Sequence, residues 1–328
     1  MDGPVCAAAQ RAWPSDKLRR KRVPAVPIRA GAEAASRGAT TLQRMLLGVH
    51  VSTAGRIFES LDRAKKLGCN TMQIFARNPQ RFRRETPLDP ADIEEFKRRR
   101  KLYKINPVFI HIPYLINLAS PKPSLYHASI EAYVEDMRDA ELLGADYIVT
   151  HMGSHTNTSE ELGLRRLIKA LKIILARTAD SGVGILLENT AGSGSWLGYD
   201  FIHHKRIISE LGGTPRIGAC LDTAHAFLAG YDMSSDEAID MSIDEIVQMT
   251  GAGRLKLIHL NDAAGVAGSH HDRHQHIGKG GIGKPAMQRL INHPALQDLP
   301  FILETPKSSA TADKNNLQAV RRLRALTE

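Results

Sequence analysis

Residues 145–190 read ADYIVTHMGSHTNTSEELGLRRLIKALKIILARTADSGVGILLENT. Ala145–Met152 and Gly184–Thr190 are short, apolar, β-branched runs, and the stretch between them, Glu160–Ala179, carries apolar residues at helical spacing. Strands that are continuously apolar rather than alternating are buried on both faces, as happens in parallel sheets covered by helices. The segment therefore reads as one strand–helix–strand unit. Outward in both directions the same unit recurs. Further strand-like runs are Met45–Val51, Thr71–Ala76 and Pro107–Pro113 on one side, and Arg216–Thr223, Leu255–Asp262 and Pro300–Pro306 on the other. Helical stretches between them include Ile57–Leu67, Asp89–Tyr103, Ser124–Leu143 and Ala286–Ile291. Asp89-Pro90 supplies a capping side chain followed by proline at the first helical position, and Ser234-Ser235-Asp236-Glu237 is a second helix start. Eight such units in a chain of this length predict a closed α/β barrel of the (β/α)8 TIM type. An open doubly wound sheet is the competing architecture. It calls for a glycine-rich phosphate loop after an early strand, whereas Gly192-Ser193-Gly194 follows a late one.

The ends of these strands carry the chemistry. His50, His111, His151, Glu188, Asp222, His259 and Glu304 each lie at or near the C-terminal end of a predicted strand. His155, His225, Asp272 and His274 lie in the segments that follow. In a barrel these ends converge on one mouth. Several carboxylates gathered there are costly to keep ionised without compensation, and divalent cations supply it. The donors are nitrogen and oxygen without thiolate, a set that suits zinc and also manganese or iron. Nine residues qualify as ligands: His111, His151, Glu188, Asp222, His225, His259, Asp272, His274 and Glu304. That exceeds the three or so protein ligands of one zinc, and with a bridging carboxylate it is enough for about three ions. Clustered metals suit phosphoryl transfer. His50 and His155 stand open between ligand and outer hydrogen-bond donor.

Composition bounds the partners. The 328-residue chain has a net charge of +9. Residues 1–44 hold nine Lys/Arg against three Asp/Glu, leaving 35 basic and 32 acidic residues in the remainder. A phosphate-binding surface on the globular part must therefore be local or metal-assisted. The three cysteines, Cys6, Cys69 and Cys220, form no CxxC pair and no disulfide framework, and Cys69 and Cys220 are expected to be buried thiols. No apolar run is long enough for a membrane span. Residues 1–44, rich in Ala, Arg and Pro with a basic cluster at Lys17–Arg22, read as a disordered extension before a barrel domain at 45–328, with Met45 as an effective start. A DNA-tethering arm and an organelle transit peptide are the other readings of that segment.

At these same residues the sequence resembles the endonuclease IV family of apurinic/apyrimidinic (AP) endonucleases. The resemblance runs from about Met45 to Leu326 and rests on an ordered set of segments: His111-Ile112-Pro113-Tyr114-Leu115-Ile116-Asn117-Leu118, His151-Met152-Gly153-Ser154-His155, Leu187-Glu188-Asn189-Thr190-Ala191-Gly192, Cys220-Leu221-Asp222-Thr223-Ala224-His225-Ala226-Phe227, Gly230-Tyr231-Asp232, His259-Leu260-Asn261-Asp262, Asp272-Arg273-His274 and Ile302-Leu303-Glu304-Thr305. It implies a trinuclear zinc site, with manganese compatible at one position. His111, His151 and Glu188 would hold the first ion. Glu188 would bridge to a second held by Asp222, His259 and Glu304, and His225, Asp272 and His274 would hold the third. The implied reaction is cleavage of double-stranded DNA 5′ to an abasic site by a zinc-activated hydroxide attacking in line. It leaves a 3′-hydroxyl and a 5′-deoxyribose phosphate, and Glu188 is the central catalytic residue. Removal of blocked 3′ ends is implied too, as are a monomeric state and a cytoplasmic, nucleoid-associated location. Such enzymes bend DNA and flip the abasic sugar out, and Tyr114 and Leu115 match the wedge positions. The loop after the second strand departs from the family pattern: Arg77-Asn78-Pro79-Gln80-Arg81-Phe82 places Gln80 where an arginine is usual, with Arg81 one position along as its replacement on DNA. Gly55-Arg56 stands for Gly-Gly, and Ala264 for a lysine. Two other functions compete: a metal-dependent sugar isomerase or epimerase on a related barrel, which needs fewer ligands, and an inactive DNA-binding module, which predicts lost ligands.

Overall fold

The computed structural model describes residues 45–84 and 86–325. The proposed extension at 1–44 lies outside the described residues. Eight strands form one parallel sheet: β1 (Leu47–Val49), β2 (Met72–Ile74), β3 (Val108–His111), β4 (Tyr147–His151), β5 (Gly184–Glu188), β6 (Ile217–Asp222), β7 (Leu255–His259) and β10 (Phe301–Leu303). Between the last two comes a small antiparallel ribbon of β8 (Asp262–Ala263) and β9 (His274–Gln275). Sheet order runs β1-β10-β7-β6-β5-β4-β3-β2. The remaining seam, between β1 and β2, is closed by a parallel bridge of His50 with Gln73, where Val51 N donates to Gln73 O at 2.7 Å. The expected (β/α)8 barrel is what forms.

Helices α1 (Glu59–Lys66), α2 (Pro90–Tyr103), α3 (Pro123–Leu143), α4 (Glu160–Arg177), α5 (Ile202–Glu210), α6 (Thr223–Ala229), α7 (Asp236–Thr250) and α8 (Gly283–Asn292) fill the strand-to-strand connections, and α9 (Ala312–Ala325) follows the last strand. Their starts follow local chemistry. The Asp89 carboxylate accepts from Ala91 N at 2.8 Å, and Ser235 Oγ accepts from Ala238 N at 3.2 Å, each satisfying a backbone donor that the first turn leaves unpaired. Helix α3 ends where Gly144 turns into the left-handed region at φ 69°. Among the described residues no helix is long and apolar enough to cross a membrane.

The strands are shorter than the apolar runs. Met45–Val51 contributes only Leu47–Val49 to the ladder, and Pro300–Pro306 only Phe301–Leu303. The flanking residues of each run are apolar because they are buried, yet they leave the ladder where the strands splay into loops. Inside the barrel, alternation along each strand matters most. Phe109, Val149, Leu186, Cys220, Leu257 and Ile302 form a separate apolar plug. Two residues further along each of the same strands stand His111, His151, Glu188, Asp222, His259 and Glu304. Side chains two apart share a face of a strand. The plug is thus a packed floor, and the polar set is the layer resting on it. Both Cys69 and Cys220 are free and buried, and burial pushes their thiols up, to about 11 and about 12.

Candidate metal centre

Glu188 occupies the middle of this layer and is fully buried. Its two oxygens face different partners. Oε2 lies 3.1 Å from His111 Nε2 and 3.1 Å from His151 Nε2, while Oε1 lies 2.9 Å from His259 Nδ1 and 3.6 Å from His225 Nδ1. Potential ligand atoms fall within 4.8 Å of one another in three groups: His111, His151 and Glu188; Glu188, Asp222, His259 and Glu304; and Asp222, His225 and His274. Glu188 belongs to two groups, and so does Asp222. Asp272 adjoins the third through Oδ1, 3.1 Å from His225 Nε2, and it is the most exposed carboxylate of the set. The imidazole rings form a chain across the mouth, His259–His111–His151–His225–His274, with centroids 5.1–6.0 Å apart.

Whether these residues fit cations can be judged from the far side of each ring. His111 Nδ1 donates to Ile112 O at 2.7 Å, His225 Nδ1 to Asn189 O at 2.9 Å, His274 Nδ1 to Glu304 O at 3.1 Å, and His259 Nε2 to the Gln73 side-chain oxygen at 2.8 Å. An outer N–H anchored on an oxygen fixes the tautomer and turns the other nitrogen inward, the arrangement found behind metal-bound histidines. Inward, His225 Nε2 and His274 Nε2 face each other at 3.3 Å. The two nitrogens converge there with Asp272 Oδ1, and a proton on His225 Nε2 occupies the place that a cation would take. The site fits divalent cations on this ground.

The protonation pattern says the same. Burial works against charge on His225, but the Asp222, Asp272 and Glu188 carboxylates raise its pKa to about 10. Burial likewise opposes charge on His259, and Cys220, Glu304 and Glu188 together still hold it well above the usual imidazole value. For Glu188 burial is again the largest influence, outweighed by His151 and His259, which keep the carboxyl well below its ordinary range. Among the described residues the ion-pair partners of Glu188, Asp222, Asp272 and Glu304 are all histidines. Protons on imidazoles supply the positive charge the carboxylates demand, and metal ligation requires those protons to leave.

Three amides complete the layer, and a search for His, Asp and Glu passes over them. Asn189 Oδ1 accepts from Asp222 N at 2.7 Å, Asn261 Nδ2 donates to Asp222 Oδ2 at 2.7 Å, and Gln73 Nε2 donates to Glu304 Oε1 at 2.5 Å. The available signal was a lone polar residue within or just after an apolar run, as in Met72-Gln73-Ile74. Asp222 Oδ1 also caps α6, accepting from His225 N at 2.8 Å. Asp262, just past β7, gathers a distant loop. Its carboxylate accepts from Ala263 N, Gly280 N and Ile282 N at 2.8, 2.9 and 3.0 Å. The ribbon carrying Asp272 and His274 is thereby pinned at both ends.

The remaining sequence candidates lie around the rim. Tyr114 sits on the turn after β3 with 57% of its surface exposed, and Leu115 beside it is half-buried. Arg81 is exposed on the loop after β2, where its carbonyl accepts from Arg77, and Gln80 is exposed too. His155 stays outside the three groups, donating from Nδ1 to Thr158 O at 2.7 Å. His50 Nδ1 lies 3.4 Å from Glu304 Oε1.

Comparison with known proteins adds to this geometry. A family model described as a xylose isomerase-like TIM barrel matches residues 61–326. The probable endonuclease 4 of Halothermothrix orenii is 41% identical over 265 residues, which span 81% of this chain and 95% of that protein. The crystal structure of endonuclease IV from Thermus thermophilus superposes with a TM-score of 0.75 at 33% identity, covering 84% of this chain and 98% of that one. A D-tagatose 3-epimerase-like protein reaches a TM-score of 0.65 at 18% identity over 86% of this chain and 98% of its own, a likeness of fold alone.

Proposed function

The chain belongs to the endonuclease IV family of metal-dependent DNA-repair nucleases, on the xylose isomerase-like TIM barrel, and from that premise we propose that it hydrolyses the phosphodiester 5′ to an abasic site in duplex DNA. The products in this reading are a 3′-hydroxyl and a 5′-deoxyribose phosphate, with blocked 3′ ends as a second substrate. The observation that carries it is the division of Glu188 between two ligand groups with a third adjoining. A sugar epimerase needs no third group around His225 and His274, and none of the nine candidate ligands is missing, as an inactive binding module would require.

The first ion would be held by His111, His151 and Glu188, the second by Glu188, Asp222, His259 and Glu304, and the third by His225, Asp272 and His274, with Asp222 close by. Zinc bound there supplies Lewis acidity, which neutralises a phosphate and lowers the pKa of water. The protein residues do the rest. Glu188 keeps opposite faces of the centre at a fixed separation. The apolar plug beneath excludes water from below. The anchored imidazoles resist rotation as charge shifts on the substrate. We also assign the protein to the cytoplasm as a monomer. Its test is an incision assay on a synthetic duplex with one abasic site. Cutting on the 5′ side, abolished by chelator and restored by zinc, is expected, together with about three divalent ions in protein never exposed to chelator. An active protein holding one ion would sink the trinuclear reading, and an intact duplex would sink the function.

Recognition falls to the rim. Tyr114 is a large aromatic on a turn at the mouth, with more than half of its surface exposed, and this supports its role as a wedge in the gap left by the flipped sugar. Stacking of this kind contributes roughly 1–3 kcal/mol per base, so Tyr114→Ala should weaken abasic-duplex binding about ten- to a hundredfold. Metal content should not change. A variant that loses metal, or binds as tightly as the parent, makes Tyr114 a packing residue. Arg81 and Leu115 are proposed as further DNA contacts on the same rim.

A further inference from the structure

A cavity of about 540 Å³ opens beside the ligand groups, between the loops that follow β1, β2 and β10. It is lined by His50, Ser52, Thr53, Asn78 and Lys307 among others, and by no carboxylate. His50 Nε2 is buried and has no hydrogen-bond partner. An unpaired buried donor is unfavourable, so it signals a missing acceptor. Which nitrogen of His50 holds the proton follows from its neighbours. His259 turns Nδ1 to the Glu188 and Glu304 carboxylates, at 2.9 and 3.3 Å, as a metal ligand would. Its Nε2 therefore carries a proton, which it donates to Gln73 Oε1 at 2.8 Å. That fixes the Gln73 amide, whose nitrogen faces Glu304 Oε1 at 2.5 Å and His50 Nδ1 at 2.9 Å. An amide nitrogen can only donate. His50 Nδ1 is thus an acceptor, and its proton resides on Nε2.

We propose that Gln73 fixes His50 as an Nε2–H donor to a backbone phosphate oxygen of the DNA strand, seated in this cavity beside the scissile phosphodiester. The proposal rests on the abasic-DNA reading above. His50 is the substrate contact, and Gln73 is its positioning residue. Lys307, whose Nζ donates to His50 O at 3.2 Å and pairs with Asp313, brings an ammonium to the same cavity. A neutral N–H and an ammonium, with the Ser52 and Thr53 hydroxyls, face a cavity whose lining holds no carboxylate, Asp313 and Glu304 lying behind Lys307 and His50, and such a lining suits a phosphate anion.

Two substitutions separate this role from a structural one. Asparagine reproduces a donor or acceptor near Nδ1 and lacks Nε2, whereas glutamine places an N–H near Nε2. In the metal-loaded full-length protein, His50→Asn should weaken abasic-duplex binding about tenfold, the worth of a hydrogen bond to a charged acceptor. The loss should fall on KM more than on kcat, with metal content unchanged. His50→Gln should recover most of it. Nitrogen NMR of the parent should find the His50 proton on Nε2, and in Gln73→Leu the proton should be shared between the two nitrogens. A proton on Nδ1 in the parent overturns the relay. Parent-like binding by His50→Asn, loss of metal in that variant, or failure of His50→Gln to recover overturns the phosphate contact. A parent protein that neither binds nor cuts abasic duplex removes the functional reading and this contact together, whereas a parent that cuts isolates any failure to His50.

Discussion

Glu188→Gln should lower incision of an abasic duplex by about a thousandfold or more, since it removes a group on which several others act as a unit. Glutamine keeps the length and planarity of the side chain. It replaces one oxygen by an N–H donor and removes a full charge. The oxygen facing His111 and His151 and the one facing His259 cannot both be retained, so one ligand group loses its shared member whichever way the amide turns. The imidazoles that Glu188 helps to hold protonated, His151 and His225 among them, lose a partner as well. Metal content should therefore fall along with the rate, and elemental analysis of the purified variant checks this beside the incision assay. If the variant keeps the parent's metal and more than a tenth of its rate, Glu188 is not the centre of the site.

A second large effect is expected away from the chemistry, in stability. Arg77 is buried on the loop after β2, and its Nε and NH2 groups donate to the two oxygens of Asp136 on α3 at 2.7 and 3.0 Å. Its remaining nitrogen donates to Arg81 O. Burial raises the Asp136 pKa to about 6 even though Arg77 draws it down. Removing the guanidinium leaves a buried carboxylate without its cation, a change that costs about 3–5 kcal/mol. Arg77→Met should therefore destabilise the fold by about that amount in denaturant titration, and it should also free the loop that presents Gln80 and Arg81. Adding Asp136→Leu should restore most of the stability, because two apolar side chains of similar volume replace an ion pair at little net loss. A single variant within about 1 kcal/mol of the parent would show the pair to be better solvated than its burial indicates.

Residues 145–190 show why so much of this was legible beforehand. In a barrel, both the hydrophobic requirement of a two-sided strand and the position of the chemistry follow from one alternation. A run such as Tyr147–His151 announces its burial and its functional end together. Polar residues that close apolar runs are expensive unless they have a task, so His111, Glu188 and Asp222 stand out. Gln73, Asn189 and Asn261 did not, because a lone amide within or just past an apolar run carries no charge that demands a partner, and their partners come from segments distant in sequence. Strand lengths were overestimated for a related reason: burial continues past the last ladder bond, and composition registers burial alone. The grouping of Asp222 with His225 and His274 was not legible either. It depends on Asp222 turning one oxygen to the start of α6 and the other to the mouth, and spacing does not reveal that choice.

The carboxylate of Asp262 has a consequence for the third ligand group. It gathers the departure at Ala263 and the return at Gly280 and Ile282 of a long excursion of the chain. Closing a loop of that kind carries an entropic cost that grows only slowly with its length. Here the closure is built into the fold, before any cation arrives. Asp272 and His274 therefore meet His225 as tethered reagents at high effective concentration. The affinity of that group for a cation is set by chain topology as much as by the chemistry of its donors, and lengthening the tip of the excursion would change it little.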